Sequence, residues 1–178
     1  GGAWRDISMT GTHIGTREED GYQGVIIGII GLGRIGSRVS ELMAPWGMRI
    51  VSYDPYVSKK RFREFGVEQI GLDDLLKQSD VVSVHVILTK ETYHMIGKRE
   101  LGLMKSTAIL INTSRGPVID EPALVKALQH QLIGGAALDV FETEPLPIDS
   151  PLRGLGDDVL LSPHMSSHNF GAGLTPGI

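Results

Sequence analysis

Val25-Ile26-Ile27-Gly28-Ile29-Ile30-Gly31-Leu32-Gly33-Arg34-Ile35-Gly36 decides the fold. Its first half is a short β-branched run that is continuous rather than alternating, as a strand covered on both faces requires. Gly31, Gly33 and Gly36 then fit the pattern G-x-G-x-x-G. Beyond them Ile35, Val39, Leu42 and Met43 recur at i, i+4, i+7 and i+8, which predicts an apolar helix stripe running to about Ala44, with Pro45 as the stop. Strand, glycine turn and helix in that order separate a dinucleotide fingerprint from a chance match.

Outward from this unit the same alternation continues. Strands are expected at 48–53, 81–86, 108–111, 135–139 and 159–162. Between them, 72–78 carries Leu72, Leu75 and Leu76 on one face. A helix after Asp120 has that residue as N-cap, Pro122 in its first turn, Leu124, Leu128 and Leu132 as its stripe and Gly134 past its end. Six strands separated by helices predict a doubly wound parallel α/β sheet of the Rossmann type. The expected organisation is an irregular leader at 1–24, the dinucleotide-binding domain at 25–164 and an irregular tail at 165–178.

Composition fits one such domain: 178 residues, a net charge of -4, 41% hydrophobic and 21% charged residues. The small negative balance gives no general attraction to nucleic acid or to an anionic membrane. The sequence has no cysteine, which excludes disulfides and thiolate metal sites and fits a reducing, cytoplasmic setting. No apolar run approaches the roughly 18 residues of a membrane span. The start, Gly1-Gly2-Ala3-Trp4-Arg5, has no signal-peptide pattern and no Met, so the chain reads as processed or as a piece of a longer one.

In the glycine turn, Gly31 allows the tight bend, Gly33 leaves room for a pyrophosphate and Gly36 lets the helix approach its strand. Arg34 and Ile35 stand in the first helical turn, whose backbone N–H groups face the phosphates. Asp54 closes the second strand, 18 residues after Gly36 (54 minus 36), where a carboxylate accepts hydrogen bonds from the adenosine ribose hydroxyls. That favours NAD over NADP, because a 2′-phosphate would meet like charge. S-adenosylmethionine and flavin are the competing ligands for such a turn.

Three ionisable residues follow later strands: Arg115, Glu144 and His164. A guanidinium at 115 suits a substrate carboxylate, and equally a surface ion pair. An imidazole at 164 titrates near neutrality and suits proton exchange with a hydroxyl or carbonyl, and equally a plain loop position. Glu144 can orient that imidazole, or be a solvated carboxylate beside Glu142. His85 reads as structural; His13, His94 and His130 carry no motif, and His168 reads as a solvated loop residue. No cluster has metal-ligand spacing, so no metal is expected.

The stretch 104–121, including Asn112-Thr113-Ser114-Arg115-Gly116-Pro117, closely resembles the D-isomer-specific 2-hydroxyacid dehydrogenases, as do Gly135-Ala136-Ala137-Leu138-Asp139-Val140-Phe141-Glu142-Thr143-Glu144-Pro145 and Ser162-Pro163-His164. Order and spacing hold across about 20–165, including the glycine turn. The resemblance implies NAD-linked interconversion of a D-2-hydroxy acid and its 2-oxo acid. In it Arg115 binds and polarises substrate, His164 is the acid/base and Glu144 supports His164; Asp139 lies near the nicotinamide amide and Thr113 near its ribose. It further implies a homodimer, with Trp4 and the leader as contributors. The family's second, substrate-binding domain has no counterpart in this chain, so weak catalysis is expected, and an NAD-binding, dimerising sensor or interaction module is the alternative. Ile87 stands where the family commonly has proline, and the run after His164 departs from its pattern.

Overall fold

A computed structural model describes residues 24–165. The expected leader and tail, with Trp4, His13 and His168, lie outside the described residues.

Strand β1 (Ile26–Ile30) is buried along its whole length because it has a strand on either side. It pairs in parallel with β2 (Arg49–Tyr53) and with β4 (Val81–Val84). Strands β3 (Glu68–Gln69), β5 (Ile109–Asn112), β6 (Gly135–Leu138) and β7 (Val159–Leu161) complete a parallel sheet of order β3-β2-β1-β4-β5-β6-β7. The alternation of side chains along a strand divides the core. Ile26 and Ile30 belong to one apolar cluster, with Leu75, Leu76, Leu101, Leu124 and Leu128. Ile27 and Ile29 belong to another, with Ile50, Phe62 and Val67. The five α-helices supply the covering layers: α1 (Arg34–Met43), α2 (Lys59–Glu64), α3 (Leu72–Gln78), α4 (Lys98–Leu101) and α5 (Glu121–Gln129). The strand order reverses between β1 and β4, and a doubly wound sheet opens its ligand crevice at the carboxyl ends flanking such a point.

Several local expectations are corrected. The sheet has seven strands rather than six: β3 is two exposed polar residues held on β2 and has no apolar signature. Helices α2 and α4 are short and were not expected. The stripe on α1 is half the one expected: Val39 and Met43 pack against the core. Ile35 and Leu42 are 56% and 52% exposed, and the buried face is Gly36, Ser37 and Ser40. Small residues win that face because α1 packs too closely on the sheet for larger ones. As expected, α1 ends just before Pro45, at Met43, and a separate 3-10 turn, Ala44–Trp46, follows. Asp120 does cap α5, its side chain accepting from the Ala123 N–H at 2.9 Å. That helix ends at Gln129, however, so Leu132 lies beyond it and is 48% exposed. Gly134 sits against Thr107, whose carbonyl a Cβ would meet at 2.6 Å, and is no helix cap.

Among the described residues, no helix is long and apolar enough to cross a membrane.

Candidate functional site

The glycine turn behaves as three different backbone problems. Gly31 has φ +95, and a side chain there would strike the His85 carbonyl. Gly36 lies against the Gly31 carbonyl, which a Cβ would meet at 2.1 Å; beside Gly33 a Cβ would meet nothing within 4 Å. That open side is where a bulky phosphate can reach backbone. From α2, Arg61 backs the turn, donating from Nε to the Leu32 carbonyl at 3.1 Å and from Nη2 to Ser37 Oγ at 3.1 Å.

Asp54 follows β2 and holds the same turn: Oδ2 accepts from Leu32 N–H and Oδ1 from Tyr56 N–H, both at 2.9 Å. Each carboxylate oxygen keeps a second lone pair for a ligand hydroxyl. A cavity of about 430 Å³ lies beside it, lined by Gly31, Gly33, Asp54, Tyr56 and His85 among others. A second, of about 580 Å³, includes Arg34, Ile35, His85, Thr113 and Arg115. His85, Val86 and Ile87 line both, so the two cavities adjoin. His85, expected to be structural rather than catalytic, lines both. Its Nε2 lies 2.9 Å from Ser83 Oγ, and burial pushes its pKa down, which favours the neutral ring.

Arg115 follows β5 in a loop shaped by Asn112. That buried side chain accepts from Ser114 N–H and Oγ and donates to the Arg115 carbonyl. The guanidinium is exposed and donates to the Ser114 carbonyl at 2.6 Å.

Glu144 and His164 are brought together across 20 residues of sequence, Oε2 standing 2.7 Å from Nδ1. Glu144 Oε1 accepts from Phe141 N–H at 3.0 Å. Burial pushes the Glu144 carboxyl up, but the bonds from His164 and Phe141 outweigh it and hold its pKa below the ordinary value. His164 has φ +53, a conformation unusual for a side-chain-bearing residue. Asp139 sustains it: only 3% exposed, it accepts from Ser162 Oγ at 2.6 Å and from Met165 N–H at 3.0 Å, on either side of the histidine. The pair lines a cavity of about 650 Å³ with Phe141, Leu146, Arg153 and Leu161, and Arg115 lines a different one. The structure thus joins Glu144 to His164 and Asp139 to their loop, and places Arg115 with Thr113 on the cavity beside the glycine turn.

One further group was missed. His94, Asp120 and Glu142 each bring a ligand atom within 4.8 Å of the others. Both carboxylates already serve the fold: Asp120 as the α5 cap, and Glu142 by accepting from Glu121 N–H at 3.0 Å. The signal available in the sequence was only their charge.

A parallel doubly wound sheet with this glycine turn and acidic strand end defines a dinucleotide-binding protein. The family described as D-isomer specific 2-hydroxyacid dehydrogenase, NAD binding domain, matches residues 5–166. The chain belongs to that family, and its cofactor is NAD. It is 48% identical over 165 residues to a glyoxylate reductase of Korarchaeum cryptofilum, covering 93% of this chain and 47% of that protein. It is 46% identical over 145 residues to a D-3-phosphoglycerate dehydrogenase of Methanocaldococcus jannaschii, covering 81% and 27%. Among solved structures, a D-lactate dehydrogenase of Aquifex aeolicus complexed with NAD and lactic acid superimposes with a TM-score of 0.74 at 39% identity, over 82% of this chain and 48% of that one. The chain spans about half the length of the glyoxylate reductases it matches.

Proposed function

We propose that this chain is the catalytic-residue-bearing cofactor domain of an enzyme that interconverts a D-2-hydroxy acid and its 2-oxo acid. The observation that carries the reading is the Glu144–His164 pair: with Nδ1 held by a carboxylate at 2.7 Å, the tautomer is fixed and Nε2 is left to face a substrate hydroxyl or carbonyl.

In this reading the pyrophosphate lies over Gly31, Gly33 and Gly36, on the N–H groups at Arg34 and Ile35. Asp54 takes the adenosine ribose hydroxyls, and Thr113 and Asp139 lie toward the nicotinamide end. NAD held there would supply the acceptor or donor for the C2 hydride. Arg115 grips the substrate carboxylate and polarises the adjacent carbonyl. His164 removes the hydroxyl proton in oxidation and supplies it in reduction, while Glu144 stabilises the imidazolium that forms. Thr113 and Arg115 line the same cavity as the glycine-turn residues Arg34 and Ile35, which supports this arrangement. Self-association as a homodimer is part of the reading, supported by Ile35, Leu42 and Trp46, which present 56%, 52% and 58% of their surface along one side of α1 and its extension.

The test is NADH oxidation by the 178-residue chain against a panel of 2-oxo acids, with calorimetric titration of NADH alongside. Turnover that disappears in His164→Ala supports the reading. NADH binding without turnover on any oxo acid would leave a cofactor-binding domain, and no NADH binding would overturn the assignment of the glycine turn.

A further inference from the structure

His94 stands where the two arms of the proposed site meet. On the Arg115 side, its N–H donates to the Pro117 carbonyl at 2.8 Å, and Ile96 N–H follows on Val118 at 3.2 Å. The segment then bridges in parallel to Ile119. On the Glu144 side, His94 Nε2 lies 2.7 Å from Glu142 Oε1. That nitrogen is sealed from solvent and its contact is not aligned as a hydrogen bond. Glu142 is clasped in return by α5: Glu121 N–H donates to Glu142 Oε1 at 3.0 Å, and Glu142 N–H donates to Glu121 Oε2 at 3.1 Å. Two residues later stands Glu144.

The two arms also touch directly. A Cβ on Gly116, next to Arg115, would fall 1.9 Å from the Phe141 carbonyl carbon and 2.6 Å from Glu142 N, so backbone is pressed on backbone there. Phe141 is the residue whose N–H holds Glu144. His94 carries φ +50 and stacks on Tyr93 with ring centroids 4.0 Å apart. A strained backbone kept in place by so many contacts is the kind of feature that accompanies a functional constraint.

We propose that His94, acting through Glu142, is a positioning residue that fixes the Arg115 loop relative to the Glu144–His164 pair. It rests on the reading of that pair as the proton-transfer machinery. His94 touches neither substrate nor cofactor in this role. It sets the distance between the group that grips the carboxylate and the group that moves the proton, a distance on which rate depends steeply.

The test compares the 178-residue chain with His94→Gly, which relieves the left-handed backbone and removes the ring, and with His94→Gln, whose amide puts a polar group of similar reach back beside Glu142. Gln131 already adopts φ +53 in this fold, so glutamine is compatible with the backbone. The titration midpoint of the Glu144 carboxyl, followed by carbon-13 NMR, is expected to move up in His94→Gly as the Phe141 and His164 bonds loosen, and to return in His94→Gln. NADH affinity should stay within about twofold, while kcat with a 2-oxo acid falls about tenfold or more. A melting temperature that drops while the Glu144 midpoint stays put would overturn the proposal and leave His94 a purely structural residue. If His94→Gly does not fold, Glu142→Gln, which keeps an acceptor for Glu121 N–H, gives the same readout. Absence of turnover in the unmodified chain would count against the proposed reaction, whereas the Glu144 midpoint, read without substrate, decides the role of His94 independently.

Discussion

Glu144 divides its carboxylate between two partners: Oε2 lies 2.7 Å from His164 Nδ1 and Oε1 takes the Phe141 N–H at 3.0 Å. The same residue therefore orients the imidazole and anchors the loop it stands on. Glu144→Gln keeps an acceptor for one partner but loses the charge that stabilises an imidazolium, so kcat should fall about tenfold or more, less than the roughly 10²–10⁴ expected for His164→Ala. The folded carboxyl sits below its ordinary value of 4.5, so the fold favours its ionised form. The stabilisation is thus present above that value and lost as pH falls through the lower folded one. Denaturant unfolding of the two proteins should differ near neutrality and converge in acid; curves that stay parallel at every pH would refute the assignment.

Asp139 grips both flanks of His164, through Ser162 Oγ and Met165 N–H. Asp139→Ala leaves those two donors without their acceptor, at a cost of about 2 kcal/mol. It should also reduce turnover more than NADH affinity, because the imidazole loses its support. Asp139→Asn, which retains an oxygen, should be milder on both counts. Equal loss of affinity and turnover in the two variants would instead place the carboxylate charge on the cofactor.

Strand identity was legible wherever burial on both faces forced a continuous apolar run, as in Ile26–Ile30, and β3 was not, because two exposed residues on a sheet edge need no apolar side chain. The stripe on α1 was legible in Val39 and Met43, which pack against the core, and not in Ile35 and Leu42, which are left outside while Gly36, Ser37 and Ser40 are buried. At the site, local sequence left Arg115, Glu144 and His164 open, and their roles were expected only from the resemblance to a family. The contacts of His94 with Pro117 and Glu142 depend on loops distant in sequence meeting, which no local pattern encodes.

Asp54 does two jobs, so its replacement should show two effects. Asp54→Ala frees the Leu32 and Tyr56 N–H groups, lowering stability by about 1–2 kcal/mol. It also removes the charge that repels a 2′-phosphate, so the ratio of NADH to NADPH affinity should fall about tenfold or more. Competitive titration with both nucleotides checks this, and an unchanged ratio would show that discrimination resides elsewhere.

Leu42 and Trp46 expose 52% and 58% of their surface on neighbouring turns, an apolar area that a lone domain gains nothing from presenting. The double substitution Leu42→Asp and Trp46→Ser should leave the melting temperature within a few degrees, because neither residue is buried in the folded domain. It should weaken any self-association seen by sedimentation. A monomeric parent protein, or a dimer indifferent to the pair, would remove this face from consideration.

Arg61 reaches from α2 to the underside of the glycine turn, bonding the Leu32 carbonyl and Ser37 Oγ at 3.1 Å each, with its guanidinium 4.8 Å from the centre of the Phe65 ring. Those contacts tie up a carbonyl that would otherwise face the anion site and bring a positive charge behind the peptides that would cradle pyrophosphate. Arg61→Met preserves the apolar stem and removes both effects. Weaker NADH binding by about fivefold to tenfold follows, near the 1–1.4 kcal/mol of one charged hydrogen bond at a partly exposed site. Adenosine, which lacks the pyrophosphate, should bind both proteins alike. Equal weakening for adenosine and NADH would instead mean that Arg61 shapes the whole cleft rather than its phosphate end.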